Sequence, residues 1–156
     1  MTVISQQRTS RLSTMIDNPG GLSVAVAMAQ ATAHLDAIKP RGMEIISCQL
    51  GELASMTAPD GPDERAKNRA YGLSAGILDA AGPFQMDDLC AAASGLCDLL
   101  DASPQGEAFD WRIVTVHVQA MQLMQTLTPG QAGDEARSRV LAGLRDVLRA
   151  KLHQAV

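Results

Sequence analysis

Three histidines, three cysteines and a scatter of acids are the side chains of this 156-residue sequence that could do chemistry. His34 shares a helical stripe with Ser23, Ala27 and Gln30, which predicts an exposed imidazole, and Lys39 and Arg41 follow closely. An exposed imidazole beside cations is what a phospho-acceptor needs, since the cations hold the incoming phosphate. The same description fits many surface histidines, and Pro40 comes only six residues later. His117 lies in register with Ile113, Val114, Ala120, Met121 and Met124, opposite a polar stripe of Arg112, Thr115, Gln119, Gln122 and Thr126. A lone histidine on an apolar face reads as a satisfied core or interface residue before it reads as a catalyst. His153 falls at a helix C-terminus, where a cation suits the helix dipole.

The cysteines do not build a framework. Cys90 and Cys97 stand seven residues apart, about 10 Å along a helix and too far to bridge. With Cys48 they read as buried thiols of a reducing, cytoplasmic protein. No His/Cys cluster has zinc spacing, so no metal is expected. Asp87, Asp88, Asp98 and Asp101 form an exposed helical stripe with Ala91 and Ser94, not the converging pair that acid–base catalysis requires, and no loop gathers them around magnesium. No Gly-rich phosphate loop is present. The reading is a protein without a cofactor and without catalytic residues.

Charge and composition narrow the partners. A formal charge of −4 offers no basic face for nucleic acid. From Ala70 to Trp111 there is no Lys or Arg but seven acids, while Asp134 to Val156 holds five basic residues. Such asymmetry marks solvated faces or a docking surface. The apolar run Leu22–Ala33 is too short to span a bilayer, and Gln30, Thr32 and His34 follow too soon for a signal peptide. No membrane association is expected.

The elements that must position these residues are helices, since the chain is poor in the aromatics that strands favour. Residues 1–21 read as a polar arm ending in "DNPGG", and residues 22–156 as one helical domain. Helices are predicted over about Leu22–Ile38, from Pro40 to about Met56, from Pro62 or Asp63 to Gly82-Pro83, and over Met86–Asp101. Asp110 is the expected N-cap of a helix to about Leu127, and Asp134 that of a last helix to His153. Short loops make neighbours antiparallel. The fold expected is all-α, an up-and-down antiparallel bundle with a four-helix core plus one or two extra helices. Its core is placed at Leu73, Ile77, Leu89, Leu96, Leu99, Leu100, Ile113, Val114, Met121, Leu144 and Leu148.

One stretch, "ILDAAGPFQMDDLCAAASGLCDLL", gives that bundle a further meaning. It resembles the histidine-containing phosphotransfer domain, whose pattern is His-x-Leu-Lys-Gly, a glycine three residues on, and another three beyond. Ile77 matches the motif leucine, Gly82 the first spacing glycine, and Leu89 and Leu96 the apolar positions of the next helix. The departures fall where the chemistry would be. Ala75 stands in the histidine place, Leu78 in the lysine place, Asp79 in the motif glycine place and Gln85 in the later glycine place. The scaffold pattern is kept and the reaction lost.

"YGLSAGILDAAGPFQMDDLCAAASGLCDLLD", "DWRIVTVHVQAMQLM" and "RLSTMIDNPGGLSVAVAMAQATAHLDAI" together resemble the CheE-like proteins of alphaproteobacterial chemotaxis operons. That resemblance implies a phosphotransfer-like helical protein accompanying a chemotaxis kinase and receivers, with no catalytic residues to carry over. A polar residue at the place of Ala75 and a glycine at that of Asp79 belong to the pattern, so this chain departs from it twice. The expected function is a non-catalytic adaptor or modulator that binds a histidine kinase or receiver-domain protein through the face of Ala75, Leu78, Asp79, Gly82 and Gln85. Two readings stay open beside it: an active phosphotransfer protein using His34, and a structural module pairing copies of itself as a homodimer. Small residues at Ala75, Gly76, Ala80, Ala81 and Gly82 also suit plain close packing of helices.

Overall fold

Five α-helices and one short 3-10 turn make up the regular structure of residues 23–127 and 130–152, which the computed structural model describes. They are α1 (Val24–Ser55), α2 (Glu64–Ala81), the 3-10 turn Gly82–Phe84, α3 (Asp87–Asp101), α4 (Arg112–Thr126) and α5 (Gln131–Leu152). The molecule is an all-α helical bundle. Its residues fall into two units, Met1–Asp36 and Ala37–Val156. The polar arm expected over residues 1–21 lies outside the described residues, as does His153.

α1 corrects the expected break at Pro40: the helix runs through the proline without interruption. Proline lacks an N–H and its ring crowds the carbonyl four residues back, here that of Asp36. Every residue from Asp36 to Arg41 is exposed, so water can satisfy the freed carbonyl while the chain stays helical through the proline. The core-facing residues of α1 are Gly42, Ile46, Leu50 and Leu53, at steps of four, four and three.

α2 begins where the sequence predicts. The Asp63 carboxylate accepts the Ala66 N–H at 3.0 Å, closing one of the donors a helix start leaves open. α3 is the most enclosed helix: Leu89, Ala92, Ala93, Leu96, Cys97, Leu99 and Leu100 are all buried. It packs chiefly on α2 and also on α4 and α5. The cap of α4 falls on Trp111, one residue past the expected Asp110, and makes no side-chain cap bond; the Asp110 carboxylate accepts the Arg112 N–H at 3.2 Å and the Arg112 Nε–H at 2.9 Å. It accepts from Lys151 Nζ at 3.2 Å as well, joining the start of α4 to the end of α5. α5 starts at Gln131, three residues before the expected cap. Asp134 is a first-turn acid instead, donating its own N–H to Gly130 and holding Arg137 at 3.0 Å, a placement the helix dipole favours.

All the predicted core residues are buried except Leu73 and Leu148, which are half-buried against the core's edge. The expected buried thiols need correcting. Cys97 is buried, Cys90 only half so, and Cys48 is exposed on α1, because its position falls outside the Gly42–Ile46–Leu50–Leu53 face.

Candidate docking face

The residues that carry the degenerate pattern sit at the C-terminal end of α2 and in the turn after it. Ala70, Ser74, Ile77 and Ala81 recur at steps of four, three and four and turn inward. Ser74 is fully buried, its hydroxyl donating to the Ala70 carbonyl at 2.8 Å. The positions between them are left at the flank. Ala75 and Leu78 are half-buried, Leu78 resting on the core, and Asp79, Gly82 and Gln85 are exposed. No imidazole occurs among these five residues.

Gln85 has a physical distinction. Its φ of 55° and ψ of 38° are left-handed, and its N–H donates to the Gly82 carbonyl at 3.1 Å, closing the turn. Left-handed backbone suits glycine and strains a side chain.

On α3, Asp87, Asp98 and Asp101 are exposed and Asp88 is half-buried. The α2–α3 pair is tied by packing and by the Cys97 thiol, which lies 4.0 Å from the Tyr71 carbonyl. Burial raises the proton affinity of Cys97 above the ordinary thiol value, and the neighbouring Asp98 carboxylate adds to it. Two clefts flank the pair. One, of about 370 Å³, is lined by Asn68 and Tyr71 of α2 with Leu100, Asp101 and Ser103. The other, of about 570 Å³, is lined by Gln85–Leu89 together with Met43, Met124 and Arg137.

Two features of this region were not read from the sequence. Tyr71 is an aromatic ring left 44% exposed on α2. Lys67 is buried, yet its ammonium lies 2.9 Å from Glu64 and donates to the Pro104 carbonyl at 3.2 Å. Glu64 in turn accepts the Gly106 N–H at 3.1 Å, so the pair pins the loop after α3 onto α2. The hydrogen bond from Lys67, with that from Gly106, holds the Glu64 carboxyl below its ordinary value. A signal existed: Lys67 is in phase with Ala70, Ser74, Ile77 and Ala81.

The alternative phospho-acceptor, His34, is exposed on α1 and belongs to the unit Met1–Asp36, whereas the five face residues belong to Ala37–Val156. His117 is buried, consistent with its apolar register. Among the described residues no three His, Cys, Asp or Glu side chains gather as metal ligands, and no helix is long and apolar enough to cross a membrane. Compared with protein-family models, curated proteins and solved structures, the chain finds no match in any of the three.

Proposed function

We propose that this chain is a non-enzymatic adaptor of chemotaxis or two-component signalling, acting in the cytoplasm and binding a histidine kinase or a receiver domain. Its docking face is the α2–α3 pair, over Tyr71–Gly82 and Asp87–Asp101. One observation supports this above the others. Asp79, Gly82 and Gln85 are exposed and Ala75 and Leu78 partly so, at the positions of a phosphotransfer pattern that carries no phospho-accepting group. The stretch from Ala70 to Trp111 has no Lys or Arg, so exposed Asp79, Asp98 and Asp101 meet a partner as an acidic surface, while Asp87 shares its cleft with Lys39 and Arg137. Such a surface steers association with a basic patch and loses strength as salt rises.

The experiment is a nuclear magnetic resonance titration of the labelled chain with receiver domains and with the domains of a chemotaxis kinase. Resonances of Tyr71–Gly82 and Asp87–Asp101 should shift on binding one of them, and Asp79→Lys with Asp98→Lys should weaken that binding. No phosphoryl label should pass to the chain. Absence of binding to every domain rejects the adaptor. Acid-labile label abolished by His34→Ala supports the phosphotransfer reading in its place.

A further inference from the structure

Beside α3 lies a cleft of about 570 Å³ whose lining carries more than a docking edge requires. Every residue around it belongs to the unit Ala37–Val156, and the volume is within the roughly 300–1,000 Å³ of small-molecule sites. Met43 of α1, Leu89 of α3 and Met124 of α4 give it an apolar wall, continued by Met86 and Leu127. Unbranched thioethers adapt to irregular apolar bodies.

The polar groups decide what else an occupant carries. Gln125 lines the cleft, and its side-chain nitrogen Nε2 is buried with no hydrogen-bond partner. A buried N–H without an acceptor is costly and rare, so this one calls for an acceptor that the chain does not supply. Arg137 lines the same cleft with a side chain only 17% exposed. It holds Asp134 and donates to the Leu127 carbonyl, which fixes the guanidinium while leaving further N–H groups to offer. Lys39 adds an ammonium that forms no ion pair among the described residues. Three such donors around one cleft suit a carboxylate.

Asp87 and Asp88 line it too, likewise without an ion pair among the described residues, and they would repel a simple anion. The dipole of α3 accounts for carboxylates in its first turn, but it does nothing for the Gln125 nitrogen. A ligand carrying both charges on an apolar body answers the whole lining. We propose that this cleft binds an apolar amino acid or short peptide with both ends free. Its carboxylate meets Lys39, Arg137 and the Gln125 amide, its ammonium meets Asp87 and Asp88, and its side chains rest on the methionines. The site borders the α2–α3 face at Gln85 and Asp87, but neither reading requires the other.

Isothermal titration of the full chain with leucine and with leucyl-leucine tests it, with no kinase or receiver present. At least one should bind saturably at one per chain. Acetylating the amine or amidating the carboxylate of that ligand should weaken binding about tenfold or more, and glycyl-glycine should not bind. Gln125→Leu should weaken binding about tenfold while the ligand-free thermal melt stays level or rises, because the orphaned N–H is gone; a merely structural defect would lower the melt. Lys39→Gln should weaken binding of the free acid but not of its amide, which has no carboxylate to lose. No saturable binding of either probe overturns the proposal, as do capped ligands that bind as well as the free one or a Gln125→Leu chain that binds as well as wild type.

Discussion

The His117 imidazole donates its Nδ1 proton to the carbonyl oxygen of Ile113, 2.8 Å away and one turn earlier on α4, and the ring is 1% exposed. A methyl added at Gly95 of α3 would just reach van der Waals contact with the other ring nitrogen, so the ring faces α3. Burial lowers its proton affinity below the ordinary value of 6.5, and the bond to Ile113 opposes that more weakly.

The consequence is a pH dependence of stability. The unfolded chain binds the imidazole proton more readily than the folded one, so unfolding is favoured as pH falls. The contribution of the neutral ring is complete above 6.5 and is lost as pH drops from there through the folded value. The urea midpoint should fall between pH 7 and pH 5. His117→Gln should lower stability at pH 7 by about 1 kcal/mol and flatten that fall. Glu64 and Asp110, held below their ordinary values of 4.5 and 3.8 chiefly by Lys67 and Arg112, act in a separate and lower window. An equally steep decline in the His117→Gln variant would discard the assignment.

Two glycines of α1 should respond oppositely to alanine. At Gly51 an added methyl meets open space, whereas at Gly42 it runs into the ring of Phe84. Gly51 is exposed in mid-helix, so Gly51→Ala should raise stability by about 0.5–1 kcal/mol. Gly42→Ala gains the same propensity but must push Phe84 aside within a buried contact, and a net loss of about 1 kcal/mol is expected. Thermal melts of the two variants decide it, and a gain at Gly42 would mean that Phe84 is free to move.

The sequence made the helices legible because their apolar positions repeat at three and four residues, and Asp63 announces the start of α2. Pro40 misled because proline breaks a helix only where the freed carbonyl has no substitute partner, and exposure at Asp36 is a property of the tertiary structure. Asp134 misled because a good capping residue is also a good first-turn residue. Lys67 was hidden by its charge: periodicity places it inside, and only a partner such as Glu64 makes that burial tolerable. Val116 and Leu123 are apolar yet 43% and 47% exposed, because helical spacing sets them beside Arg112 at the edge of the polar stripe rather than on the buried face of α4. For the candidate face, the motif spacing gave the positions, but the left-handed turn at Gln85 could be known only from the backbone.

That turn yields the last prediction. Gln85 holds a conformation that costs a side-chain-bearing residue roughly 1–2 kcal/mol, and its side chain is exposed. Gln85→Gly should therefore stabilise the fold by roughly 1 kcal/mol, offset in part by the entropy glycine gains when unfolded. Ala75 is half-buried at the flank of α2, so Ala75→His should lose less than about 1.5 kcal/mol. Leu78→Lys should lose about 1 kcal/mol, because Leu78 rests on the core while a lysine can keep its stem there and extend its ammonium to water. Combined with Gln85→Gly, the two changes should leave a folded bundle near wild-type stability by urea denaturation. A loss of several kcal/mol from Ala75→His alone would mean the side chain has no outward path, as in overpacked cores. The α2 flank could not then meet a partner, and the docking face would have to be sought elsewhere on the molecule.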